Sequence, residues 1–184
     1  MNFELHTIES APTAIKPELE AAEKAFGSIP NLFRGLAANP ATLKIYQNFS
    51  ETLKEHGHLS PIEQQVVYIA VSTKNACTYC VAAHSLLARM AKMDDQTLAE
   101  LREIRTLSDP RMNALRNFTL SIMKHRGHVP EHDLSEFYTA GFDQRHILEV
   151  LTILAQKVIS NYFNHMANTP LDEMFQSCAW QHVG

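Results

Sequence analysis

The sequence predicts an all-α protein of about eight helices, and three observations carry that reading. Apolar residues recur at intervals of three and four far more often than at two, the repeat of a helix with a buried face. Gly is scarce, 6 of 184 residues, and clusters of turn-forming residues are short. The β-branched run that most resembles a strand, VVYIAV from Val66 to Val71, follows a strong helix cap and has no hairpin turn beside it.

Each element has its own signal. Pro12 and Pro17 bracket a lead-in that is not expected to be helical, and PELEAAEKAF from Pro17 to Phe26 starts a helix with acids in its first turns. Gly27-Ser28-Ile29-Pro30 breaks it. Asn31 is placed to cap a short helix, NLFRGLAA, which Asn39-Pro40 closes; a third helix follows from about Ala41 to His56. Ser60-Pro61 opens the next, with Ser60 as cap, Pro61 at the first helical position and Glu63 three residues after Ser60, the spacing of a reciprocal capping box. Lys74-Asn75-Ala76 reads as a joint, after which a helix carries Cys77 through Ala91. Asp94 or Asp95 caps a helix ending near Leu107. Asp109-Pro110 opens one that reaches Lys124, and Pro130 with Asp133 precedes one that ends at Tyr138. Gly141 interrupts, Asp143 caps, and HILEVLTILAQKVISNYFNHMA forms the longest apolar segment. Its apolar positions fall on more than one face, so a single monomer core is not expected to cover them all.

Composition narrows the function. The length suits one domain spanning 1–184, large enough to bury its apolar surface without disulfide staples. With 16 Lys+Arg against 20 Asp+Glu the net charge is -4, which offers no basic field for nucleic acid. The N-terminal MNFELHTIES has neither a basic start nor an apolar run, so no secretory signal is read there, and no long uninterrupted apolar stretch suggests a membrane span. Three cysteines cannot all pair internally, and two of them sit three apart; a cytoplasmic protein with a working cysteine pair is the expectation.

The chemical signal is Cys77-Thr-Tyr-Cys80-Val-Ala-Ala-His84. On a helix, residues three and four apart share a face, so both sulfurs and the imidazole are brought together. A thiolate is the reactive form of cysteine, and a neighbouring imidazole can take its proton. Unpaired N–H groups at a helix start near Cys77 stabilise an anion there, and sulfurs one turn apart can close a disulfide. From the residues alone, redox work, metal binding and plain burial all remain open. Zinc would find three ligands here, Cys77, Cys80 and His84, and a structural site needs a fourth. No nicotinamide-, flavin- or phosphate-binding signature such as G-x-G-x-x-G accompanies the pair, so no cofactor is expected and electrons would come from a partner protein or a small thiol.

The stretch LSPIEQQVVYIAVSTKNACTYCVAAHSLLARM, about residues 59–91, resembles the core of the AhpD-like alkylhydroperoxidase and carboxymuconolactone decarboxylase superfamily. The segments IPNLFRGLAANPATL and SNYFNHMANTPLD resemble its peroxidase-related branch. The resemblance implies an all-α fold and a thiol-dependent peroxidase that reduces hydroperoxides, with an external dithiol or a lipoyl-type protein as reductant; with the apolar faces of the long last helix it also implies a homo-oligomer, a dimer or a hexamer. It implies Cys80 as the peroxidatic nucleophile, Cys77 as the resolving partner and His84 as the base for Cys80. The family's relay glutamate, twelve residues before the first cysteine, falls on Gln65, which cannot titrate. Glu63 is the nearest carboxylate, either a member of the relay or only a helix cap. Helical rotation sets it on a different face from Gln65. Tyr79 stands where the family places a histidine; its hydroxyl could reach a peroxide, and so Tyr79 and Gln65 are the candidate substrate-binding residues. The alternatives are a decarboxylase-like enzyme, whose chemistry needs no cysteine pair, and a non-catalytic module switched by the redox state of the pair.

The remaining titratable residues carry less. His165 lies 81 residues after His84, an offset that overlays VVYIAV on ILEVLT and Cys80 on Asn161 and suggests a decayed internal repeat. His165 reads as a core or interface histidine, His125 and His146 as surface groups, and Cys178 as a packing residue near Trp180.

Overall fold

The computed structural model describes residues 3–182 and is all-helical, with no strand among the described residues. Nine α-helices follow in order: α1 Lys16–Phe26, α2 Asn31–Leu36, α3 Pro40–His56, α4 Pro61–Lys74, α5 Thr78–Met90, α6 Asp95–Arg102, α7 Pro110–His125, α8 Glu131–Thr139 and α9 Gln144–Ala167. Short 3-10 turns at Thr13–Ile15 and Glu173–Cys178 flank them. The caps form as the sequence predicts. Ser60 Oγ accepts from Glu63 N and Glu63 returns the bond to Ser60 N, and Asp94, Asp109 and Asp143 each accept from a first-turn N–H of α6, α7 and α9.

Several boundaries differ, each for a local reason. The lead-in forms a 3-10 turn over Thr13–Ile15 that runs directly into α1. Helix α2 uses Pro30 at its cap position, so Asn31 is its first helical residue. Helix α6 stops at Arg102 instead of near Leu107. Ile104 turns left-handed (φ 59°), Arg105 N bonds back to Glu100 O at 2.8 Å, and Arg116 Nη2 donates to the Ile104 carbonyl.

Helix α4 is the hub, packing against α5, α6, α7 and α9. Two buried clusters divide the interior. One joins α4 to α6, α7, α8 and the first half of α9 through residues such as Val66, Leu101, Phe118, Phe137 and Ile153. The other joins the N-terminal segment, α2, α3 and α5 to the end of α9 and the tail, and contains Ile15, Leu36, Leu43, Phe163, Cys77 and Cys80. Cys178 lies buried in this second cluster, in keeping with the packing role read from the sequence.

One sequence reading of a histidine does not hold, and for His165 the core alternative falls while the interface alternative stands. His146 is buried and shares the α9 capping box with Asp143, so it is not a surface group. His165 is exposed, so it is no core histidine. The 81-residue overlay also fails to recur as architecture: VVYIAV and Cys80 lie on two helices separated by a joint, whereas 147–152 and Asn161 lie on the single helix α9.

Candidate active site

The joint between α4 and α5 sets the geometry of the cysteine pair. Ala76 adopts a left-handed φ of 53°, and Cys77 N bonds back to Ser72 O at 2.9 Å, closing the end of α4. Cys77 is therefore the extended N-cap residue of α5 and not its first helical residue, while Cys80 is the third residue inside. Both thiols are free and nearly sealed, 1% exposed for Cys77 and 2% for Cys80.

Their environments differ. Burial pushes the Cys80 thiol up. Against it act a hydrogen bond from the Cys77 thiol, the charge of Lys157 and a donor from Asn164, and together these bring Cys80 well below the ordinary thiol range. The Asn164 amide donates to Cys80 Sγ at 3.2 Å and lies 3.9 Å from Cys77 Sγ. Cys77, which supplies a proton to Cys80 and is buried with it, is held far above the thiol range. The pair thus has one acidic and one non-acidic sulfur.

His84 lies one turn beyond Cys80 on α5 and is fixed by α4 on two sides. Its ring stacks on Tyr68, centroids 4.3 Å apart and planes 8° from parallel. Its Nδ1 lies 2.9 Å from Gln65 Oε1. A carbonyl oxygen only accepts, so Nδ1 carries the proton and Nε2 is left as a bare acceptor. Burial first, and the Lys157 charge second, hold the imidazole well below its usual range, so it is neutral near pH 7. Tyr68 is anchored in turn: its hydroxyl donates to Gln156 Oε1 at 2.6 Å, and Gln156 Nε2 donates to the Tyr46 carbonyl and to Ser50 Oγ.

The structure brings Cys77, Cys80, His84, Gln65 and Tyr79 to one region and sends Glu63 elsewhere. One Glu63 carboxylate oxygen accepts from Ser60 N, and the other accepts from Arg111 Nε at 2.9 Å. It is the capping residue of α4, and Gln65 is the residue beside His84. The Tyr79 hydroxyl donates to Asp172 Oδ2 at 2.5 Å and accepts from Leu32 N, so its proton ties the tail to α5 and is not directed at a ligand. Sequence reasoning missed the contribution of α9, namely Lys157, Asn161 and Asn164. A signal was present: these positions form a polar i, i+4, i+7 stripe inside an otherwise apolar helix. Among the described residues, no group of three or more His, Cys, Asp or Glu side chains could hold a metal ion.

An apolar cavity of about 480 Å³ reaches Tyr79 and His84, and neither cysteine lines it. Phe26, Phe33, Leu87 and Met90 line its outer part, and Tyr46, Tyr79, His84 and Gln156 line its polar end. No helix of the described residues is long and apolar enough to cross a membrane.

Residues 40–121, from α3 into α7, match the carboxymuconolactone decarboxylase family. No curated protein matches the chain. Among solved structures, the chain is similar to an AhpD-core, uncharacterized peroxidase-related protein from Ralstonia eutropha JMP134, at 22% identity and a TM-score of 0.84, over 95% of this chain and 93% of that one. It is also similar to an uncharacterized peroxidase-related protein from Silicibacter sp. TM1040, at 19% identity and a TM-score of 0.78, over 95% and 92%. A third similar structure is a cysteine-to-alanine variant of the debrominase Bmp8 in complex with 2,3,4-tribromopyrrole, at 14% identity and a TM-score of 0.80, over 97% and 95%. The family match spans both the capping box and the C-x-x-C-x-x-x-H helix, and nearly the whole chain shares the helical fold of the AhpD-core structure.

Proposed function

We propose that the protein is a thiol-dependent peroxidase acting on organic hydroperoxides. The observation that carries the reading is the asymmetry of the cysteine pair: Cys80 sits inside the first turn of α5 with the Asn164 amide donating to its sulfur at 3.2 Å, and Cys77 sits at the cap, 3.9 Å from the same amide. The Cys80 thiolate attacks the terminal oxygen of ROOH. An S–O bond forms, the O–O bond breaks, and the departing alkoxide takes a proton to leave as ROH. Cys77 then attacks the Cys80 sulfenic acid, forming the disulfide and releasing water. An external dithiol, small or lipoyl-type, returns two electrons and two protons by thiol exchange. His84, neutral and with Nε2 unprotonated, passes protons between the sulfur and the cavity. Gln65 holds its tautomer and Tyr68 its plane.

The cavity supports an apolar substituent on the substrate, because its outer wall offers aromatic and aliphatic surface. The same wall favours a second substrate class, halogenated aromatics, of which the ligand of the similar debrominase is one. The test is steady-state turnover with cumene hydroperoxide, hydrogen peroxide and a brominated pyrrole, each with dihydrolipoamide as reductant. Faster turnover of the organic hydroperoxide supports the reading. Bromide release without peroxide consumption replaces it with the second.

The surface supports a homo-oligomer. Helix α9 leaves Leu148 (65% exposed), Leu151, Ala155, Val158 and Tyr162 (53% exposed) uncovered. Their three-and-four spacing is that of a helix-pairing seam. A second copy of the chain is the proposed occupant.

A further inference from the structure

Helix α9 is built inside out where it passes the thiol pair. Its apolar seam faces outward, while Gln156, Lys157, Ser160, Asn161 and Asn164 are all buried. Burying a polar face against a core is expensive unless its groups are paired, and burying an ammonium without an anion is the most expensive case. Lys157 is 1% exposed, and among the described residues its Nζ donates to no oxygen or nitrogen acceptor. Among the described residues, no carboxylate forms an ion pair with it. Two buried carboxylates and one half-buried one are engaged elsewhere: Glu149 accepts from His58 N, Leu59 N and Gln64, Glu63 from Ser60 and Arg111, and the half-buried Asp172 from Asn31 N and Tyr79.

Asn164, two turns beyond Lys157 on the same face of α9, donates to Cys80 Sγ at 3.2 Å. Asn161, between them, is tied through its Oδ1 to Asn75 at 2.9 Å, which fixes α9 against the joint that carries Cys77. Lys157 Nζ stands 5.8 Å from the centroid of the Tyr68 ring, whose stacking partner is His84. We infer that Lys157 is the counter-cation of the Cys80 thiolate, on a polar face of α9 that holds the reactive sulfur as an anion.

The inference rests on Cys80 being the reactive thiol and divides the work around it. His84 moves the proton and Lys157 holds the charge. The Lys157 charge draws Cys80 and Cys77 down and keeps a second positive charge off His84. The titratable groups that interact with the Cys80 sulfur are Tyr46 from α3, Cys77 at the α5 cap, Tyr79 from α5 and Lys157 from α9. Burial holds both phenols above their ordinary range, so they stay neutral and cannot supply the cation. Because the family match ends in α7, α9 brings to the site a charge that lies outside the matched region.

The test is residue-resolved alkylation of the reduced full-length chain across pH, read by mass spectrometry. Lys157→Met keeps the length and apolar stem and removes the charge. The expected result is a Cys80 rate at neutral pH reduced by about tenfold or more and a pH midpoint moved up by about one unit or more, with Lys157→Arg restoring much of the rate. A packing role would change thermal stability and leave the pH profile in place. A folded Lys157→Met with an unchanged Cys80 profile overturns the inference. Should that variant not fold, the Lys157 side chain is titrated by NMR in wild type and in Cys80→Ser. Loss of the thiolate is expected to lower the pH at which Lys157 titrates, and an unchanged titration overturns the inference. Neither readout needs peroxide, so failure of the peroxidase reading would show separately, in the turnover assay.

Discussion

Replacing Gln65 by glutamate restores a carboxylate at the position where the structure places a neutral acceptor beside His84. The perturbation is local, since Gln65 Oε1 lies 2.9 Å from Nδ1 and the two side chains differ by one terminal group. A full charge at that distance would interact with an imidazolium by about 6 kcal/mol at an effective dielectric of about 20, an upper bound. Desolvation of the new carboxylate offsets part of this, and a carboxylate next to a cationic group typically shifts its pKa by about 1–3 units. The direction is upward, because the carboxylate favours the protonated imidazole. In wild type His84 is held well below its usual range, so it stays neutral into mildly acidic solution; in Gln65→Glu it should titrate closer to ordinary histidine. The assay is NMR titration of the His84 ring, with thermal unfolding to establish that the variant folds. A folded variant whose His84 titration moves by less than about half a unit would refute the Gln65–His84 hydrogen bond and the tautomer assigned from it.

Three further predictions follow from the same geometry. Asn164→Leu removes the amide donor to Cys80 Sγ; a hydrogen bond to a charged group contributes about 1.5–3 kcal/mol, so Cys80 alkylation at neutral pH should slow by about tenfold or more while Cys77 is unaffected. Folding stability should decline as the pH falls below about 6.5, because the unfolded chain protonates His84 there and the folded chain does not; His84→Gln should flatten that slope by up to about 1.4 kcal/mol per pH unit, measured by urea unfolding at stepped pH. Val158→Glu places a charge in the middle of the exposed α9 seam and should reduce the particle to a monomer in light scattering with helicity retained; an unchanged mass would mean that the seam is not the contact.

Much of the fold and part of the site can be read in the linear sequence. The caps at Ser60, Asp94, Asp109 and Asp143 are local signals, and each forms because the side chain and the N–H it satisfies are two or three residues apart. Cys77, Cys80 and His84 are legible for the same reason, lying on successive turns. The end of α6 is less so, because a left-handed Ile104 has no glycine to mark it. Asn164 on α9 is separated from Cys80 by 84 residues and from Cys77 by 87, and no periodicity links them. Lys157 in LAQKVIS reads as a solvated position on an amphipathic helix. Its burial depends on which face of α9 turns toward α5, and the inverted polarity of that helix makes the outward face look like the core. Glu63 illustrates the reverse case: a carboxylate near the motif attracts a catalytic reading, while the capping box and Arg111 already satisfy both of its oxygens.

The central claim is that Cys80 attacks and Cys77 resolves. Stopped-flow consumption of cumene hydroperoxide by wild type, Cys77→Ser and Cys80→Ser, with peptide mapping of the products, tests it most directly. The account predicts a Cys77–Cys80 disulfide within one chain of wild type, a single equivalent consumed by Cys77→Ser with a sulfenic acid trapped on Cys80, and no fast consumption by Cys80→Ser. A burst of one equivalent in Cys80→Ser with the oxidised sulfur on Cys77, or a wild-type disulfide that joins Cys178 to either residue, would contradict it.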